Sequence, residues 1–239
     1  MNVNDFSNQF DVLLNSYAVP AGFGSTDNPG TIELNEYEKS LLLTKAQEDL
    51  VIDLYSGRNT YGASFEETEE LRRYLAKLVV EDREVPITTS ANKPLGIDSN
   101  SKFFTLPEDL WFITYEAVEI SDGKCESHKS LEVVPAKQDE YHKLKKNPFR
   151  GANNRRALRF DLSDGIVEIV SKFTVSAYYL RYLRKLKPIV LTNLGNEQNV
   201  RDESNVSECE LPESLHQIIL DRAIILALQS RGYSNKISE

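Results

Sequence analysis

The stretch NEYEKSLLLTKAQEDLVIDLYSG, from Asn35 to Gly57, limits what this chain can fold into more than any other. It reads as one helix with both ends marked. Asn35 can accept a hydrogen bond from a first-turn N–H, Glu38 sits three residues on to reach back, and Gly57 supplies a left-handed stop. Between them Leu43, Ala46, Leu50 and Leu54 recur every three or four residues, and Leu42, Val51 and Tyr55 widen the same stripe. Burying those four side chains contributes about 6–12 kcal/mol before entropy is set against it, enough to make the helix a scaffold. Its polar residues, Lys39, Lys45, Glu48, Asp49 and Asp53, read as solvating charges.

A chain of 239 residues with 40% hydrophobic and 27% charged residues can bury a sizeable core without disulfides or metals. Its two cysteines, Cys125 and Cys209, have no paired spacing, which argues against a zinc site or a disulfide framework. MNVNDFSNQF lacks the basic and apolar regions of a secretory signal, and the longest apolar run, Ala223 to Leu228, is too short to span a bilayer.

In chain order, Phe6, Phe10, Leu13, Leu14 and Tyr17 predict a short amphipathic helix ended by Pro20 and Gly22, with a linker from Pro20 to Glu33. After the long helix, Ser64 and Glu67 read as the capping pair of a third, with Phe65, Leu71, Leu75 and Leu78 inward. Glu81 to Asn100 is too irregular for an element and long enough for an interaction loop. Phe103–Leu106, Trp111–Ile120 and Lys124–Val134 read as strands, the last two turning at Asp122-Gly123. A short helix from Asp139 to Lys146 stops before Pro148. Strands Arg156–Leu162 and Ile166–Val170 then turn about Asp164-Gly165, and Thr174–Leu186 is a long strand. Thr192 to Glu210 reads as a polar loop with little structure of its own. The last helix opens near Pro212 and runs through Leu215, Ile218, Ile219, Arg222, Ile225 and Leu226 to Gly232.

The expected fold is α+β, a helical bundle from both chain ends packed against an antiparallel β domain. The expected divisions are residues 1–80 (helical), 81–195 (a β insertion with long loops) and 196–239 (an acidic loop and a helix rejoining the first part).

No catalytic signature emerges. His128, His142 and His216 lack the spacing of metal ligands, and no phosphate loop, dinucleotide fingerprint or nucleophile elbow is present. Glu69-Glu70 and Asp139-Glu140 are sequence neighbours that diverge on a helix and share no acid–base site. No catalytic, cofactor-binding or metal-binding residue is therefore expected.

The charge map is more informative. Asp139 to Phe160 holds seven bases, Lys143, Lys145, Lys146, Arg150, Arg155, Arg156 and Arg159, against two acids. Asn196 to Glu213 holds six acids against Arg201 alone. Three readings are open: solvated faces of a monomer, head-to-tail packing of the basic segment of one copy on the acidic loop of the next, or a nucleic-acid-binding module using residues 143–159. The net charge of −9 disfavours nonspecific nucleic-acid binding by the chain as a whole. The candidate inter-subunit residues are Phe149, Arg150, Arg155 and Arg156 in the basic segment, and Glu203, Glu208 and Glu210 in the acidic one.

Three patches together resemble a known family: Asn35–Gly57, the run QDEYHKLKKNPFRGANNRRALRFDL, and YYLRYLRKLKPIVL followed by ELPESLHQIILDRAIILA. They look like the neck or adaptor ring proteins of crAss-like phages infecting gut Bacteroidales, which are similar in role to tail tubular protein A and the portal adaptors of short-tailed phages. The resemblance covers about half of the chain, and DEYHKLKKNPFR and YLRKLKPIVL are its most specific strings. It implies a non-enzymatic virion protein of the neck or tail, assembled in the bacterial host cytoplasm as a dodecameric ring. Its implied partners are itself, the portal, the next tail ring and the double-stranded DNA that passes through, with no membrane and no cofactor. The helix-flanked layout inclines the reading to the first ring below the portal. An acidic chain suits a wall that DNA slides past.

Overall fold

The computed structural model describes residues 1–18, 33–59, 62–88, 96–121, 129–195 and 198–230. Along them run α1 (Val3–Ala18), α2 (Glu36–Ser56), α3 (Glu69–Leu75), β1 (Val79–Glu84), β2 (Lys102–Thr105), β3 (Leu110–Ser121), β4 (Lys129–Pro135), α4 (Tyr141–Lys145), β5 (Arg156–Asp161), β6 (Ile166–Val170), β7 (Thr174–Arg184) and α5 (Glu213–Ser230). The fold is α+β. It divides into two units: Met1–Lys77 with Leu186–Glu239, and Leu78–Lys185. Most of the expected 20–33 linker, the Asp122-Gly123 turn, Cys125, His128 and the Gly232 stop lie outside the described residues.

In the first unit α2 forms as its sequence implies. Asn35 and Glu38 close a reciprocal capping box, and Gly57 ends the helix at φ 79°. Leu43, Ala46, Leu50, Val51 and Leu54 are buried. Its polar residues do more than solvate. Lys39 is itself buried, its ammonium 2.7 Å from Asp11 and 2.9 Å from Glu36, so it pins α1 to α2. Asp53 pairs with Arg222 of α5 at 2.6 Å, and Glu48 receives the guanidinium of Arg201 at 3.1 and 2.7 Å.

Ser40, Thr44 and Gln47 lie one turn apart on α2 and stitch it to the returning segment 187–191. Gln47 donates to the Lys187 carbonyl at 2.7 Å, Thr44 receives the Ile189 N–H at 3.1 Å, and Ser40 receives that of Leu191 at 3.0 Å. The edge of this extended segment that faces α2 has no strand beside it, so these side chains satisfy its buried amides.

α5 buries one side of a helix that carries apolar residues on both. Leu215, Ile219, Leu220, Ala223, Ile224, Ala227 and Leu228 are buried, whereas Ile218 and Ile225 are exposed and Arg222 pairs with Asp53. Apolar residues surround this helix almost completely, so periodicity does not single out a stripe. Ala223 and Ala227, four apart, mark the side that packs closely. His216 is buried against Phe6, with its Nε2 2.9 Å from the Leu211 carbonyl.

Two further expectations fail. Thr68, and not Ser64, caps α3, accepting from the Leu71 N–H; the Ser64–Glu67 pair closes a turn one step earlier. The described residues between 192 and 210, 192–195 and 198–210, are built into a hairpin-like arch. Val190 and Ser207 exchange two backbone bonds of 3.0 Å, Val200 is buried, and Arg201 and Asp202 take the left-handed conformation at the tip, with φ of 52° and 67°.

The second unit is a seven-stranded sheet ordered β1-β7-β3-β4-β5-β6-β2. The expected irregular stretch after residue 80 contains most of strand β1, whose charged residues Glu81 to Glu84 conceal a strand that pairs with β7 through a bulge. The sheet is not purely antiparallel: β4 and β5 run parallel. The connection 136–155 between them carries α4 and is long enough for a crossover. The sheet curls until the continuation of β1 reaches β2, where the Thr88 N–H donates to the Phe103 carbonyl at 2.8 Å and the Thr105 N–H to that of Pro86 at 3.2 Å.

Inside the curl pack Val118, Ile120, Leu131, Val133, Val167, Ile169, Tyr178, Leu180 and Tyr182. Their alternation along the strands continues to Glu116 and Arg159, which face inward and pair while buried. Tyr178 donates to Glu116 at 2.7 Å, and Asp161 stands 2.9 Å from the Arg159 Nε. Burial raises the Tyr178 phenol well above its ordinary value, keeping it a donor. On the opposite face, Leu158, Phe160 and Val170 are covered by Tyr141 of α4. The Tyr141 ring meets Phe160 edge-on, its hydroxyl donates to Asp98, and Lys145 reaches the same carboxylate at 2.8 Å.

Two predictions follow from these networks. Glu116→Ala leaves the buried Arg159 without its main partner and should cost about 3–5 kcal/mol in urea unfolding, while replacing both residues by leucine should cost much less. Hydrogen bonds from Lys145 and Tyr141 hold the Asp98 carboxyl well below the usual carboxylate range. The stabilisation is complete above the unfolded value of about 4 and is lost as pH falls towards the lower folded value. Urea midpoints of Asp98→Asn should therefore vary less than wild type between neutral pH and pH 3.

Candidate interaction site

The basic segment is a loop that α4 and β5 hold at both ends. Asn147 organises it: its side-chain oxygen accepts from the N–H groups of Phe149 at 2.9 Å and Arg150 at 3.1 Å, and its carbonyl accepts from Gly151 at 2.9 Å. At Gly151 a Cβ would collide with the carbonyl oxygen of Leu144, so glycine is what lets the loop fold back on the helix. Asn153 caps the Arg155 N–H at 2.9 Å, and Arg156 reaches back to the Phe149 carbonyl at 3.4 Å.

This bracing presents Phe149 outward with 86% of its surface exposed. Arg150 and Arg155 are exposed beside it in sequence, and Arg156 is half-buried. The loop thus brings together four of the sequence-predicted residues. It does not use all seven bases. Arg159 is buried against Glu116 and Asp161, and Lys145 is engaged by Asp98, so the reading of residues 143–159 as one basic face is corrected to Lys143, Lys146, Arg150 and Arg155, with part of Arg156.

The acidic candidates lie in the other unit. Glu203 accepts from the backbone and side chain of Asn205 at 3.1 and 3.3 Å, and Glu210 accepts from the Lys187 N–H at 3.1 Å. Glu208 is the exposed member of the three. Sequence reasoning missed the hollows beside this arch. One, of about 480 Å³, is lined by Asn4, Ser7, Asn8, Glu36, Leu191 and Thr192. It shares Asn8 with a second, of about 300 Å³ and mainly apolar, lined by Asn8, Gln9, Val12, Leu13 and Gln217. The signal for the second was Val12, an apolar residue off the buried stripe of α1 and 69% exposed.

Burial pushes the Cys209 thiol up to about 11, far from a reactive thiolate. Among the described residues, no three His, Cys, Asp or Glu side chains group as a metal site, and no helix is long and apolar enough to cross a membrane.

Comparison with known proteins matches the sequence along nearly its whole length. The family described as phage tail ring protein 3/4 covers residues 1–238. Ring protein 3 of Bacteroides phage crAss001 is 44% identical over 234 residues, 97% of this chain and 96% of that protein. Ring protein 4/5 of the same phage is 35% identical over 236 residues, 95% and 92% of the two chains. A match of this extent leaves neither unit outside the family: the chain belongs to the phage tail ring protein 3/4 family of crAss-like phages.

Proposed function

We propose that the protein assembles as a homo-oligomeric ring in the stack that joins the portal to the tail, around the path of the outgoing double-stranded DNA. The family match across residues 1–238 carries this reading. Two relatives are named as differently numbered rings of one phage. That supports a place among several stacked rings, with ring proteins as immediate neighbours and the portal reached directly or through them. A dodecamer, assembled in the host cytoplasm before incorporation into the virion, follows by analogy with portal adaptors.

The basic loop lies on one unit and the acidic arch on the other. An exposed basic loop on one unit and an acidic arch on the other pair head to tail when copies repeat around an axis, and such heterologous contacts generate a ring when the rotation closes. In this role the protein carries out no chemical step. The exposed Lys143, Lys146, Arg150 and Arg155 favour a second reading, phosphate binding by the loop. Salt-dependent retention of duplex DNA by a protein that forms no ring would support that alternative.

Imaging the virion neck tests the ring directly: density for this chain should form a closed ring around the channel, and its absence from particles defeats the proposal. Arg150→Glu combined with Arg155→Glu should block assembly, read by mass photometry, while leaving the circular dichroism spectrum unchanged. Both side chains are exposed, whereas Arg156 also braces the loop and is left intact.

A further inference from the structure

We infer that Phe149 is the anchor of the copy-to-copy contact, seating in the groove between α1 and α5 of the next copy. This rests on the ring reading and assigns the two surfaces that meet. Phe149 is 86% exposed, so nearly the whole phenyl ring is open to a partner. Its exposure is built. The Asn147 side chain, the close approach at Gly151 and the Arg156 brace fix the backbone on both sides of it, so little conformational freedom remains to be lost on docking. Preorganised aromatic side chains of this kind dominate interface energetics when they enter a pocket that excludes water.

The groove formed by Asn8, Gln9, Val12, Leu13 and Gln217 has the complementary character. Its volume of about 300 Å³ accommodates a phenyl ring, and its surface is mainly apolar. Its surroundings are acidic. α1 carries Asp5 in its first turn and no basic residue, Asp11 being neutralised by Lys39, and Gln217 hydrogen-bonds Asp221 at 3.1 Å. Through Asn8 the groove adjoins the hollow containing Glu36 and Thr192, where the acidic arch begins. With Phe149 in the groove, Arg150 and Arg155 come with it to a surface of opposite sign. The knob lies on one unit and the groove on the other, so each copy offers one of each, and the contact propagates from copy to copy without being used up.

The test places the photo-crosslinking residue benzoylphenylalanine at position 149 of the full chain, mixes isotope-labelled and unlabelled copies, and maps the products after irradiation of assembled protein. Mixed-label adducts on residues 8–13 or 217 are expected. Adducts elsewhere on a second copy, on DNA or on another virion protein overturn the seat while leaving the ring reading intact. Absence of any higher-order species, in solution and in particles, overturns both. A second measurement uses Val12→Asp, a substitution at an exposed position that places charge in the groove. Val12→Asp and Phe149→Ala should each weaken self-association on the order of thirtyfold, and the double variant should be scarcely weaker than either. Wild-type assembly of Val12→Asp overturns the seat.

Discussion

The row of side-chain hydrogen bonds from Ser40, Thr44 and Gln47 to the segment 187–191 is the constraint on which the first unit depends. A chain leaving a β-strand and returning to a helical layer carries backbone donors and acceptors that burial would orphan, at a cost of about 1–3 kcal/mol each. Here a helix answers with hydroxyls and an amide spaced one turn apart, acting as the partner that another strand would be in a sheet. Ile189 and Val190 are then fully buried without losing their hydrogen bonds.

The same helix gathers the remaining parts of its unit through pairs that combine charge with burial. Lys39 holds α1, Asp53 holds α5 and Glu48 holds the tip of the arch. A scaffold fixed at so many points along one rod allows the sequence between Lys77 and Leu186 to form a separate unit with its own core. That unit is bound together differently, by a continuous sheet and by an inward-facing trio of Glu116, Arg159 and Tyr178 that replaces apolar packing where the alternation of the strands continues.

Much of this was legible in the sequence wherever a local chemical rule decided the outcome. The capping box and Gly57 fixed α2, and Asp164-Gly165 marked a tight turn whose residues both have positive φ. What was hidden depended on partners far away in the chain. Lys39 reads as solvent-facing until Asp11 is brought beside it, β1 is masked by four consecutive charged residues, and the parallel pairing of β4 with β5 follows from the crossover that α4 makes. The same division applies to the candidate site. The charge of the 143–156 loop was plain, whereas the removal of Arg159 and Lys145 from it, and the outward presentation of Phe149, follow from Glu116, Asp98 and the contact at Gly151.

The short run from Val85 to Thr88 occupies the otherwise bare flank of β2. A strand whose amides already have partners offers no template on which another chain can nucleate. Backbone pairing along this flank of β2 is thereby closed to any second chain, and what meets it must be recognised by side chains.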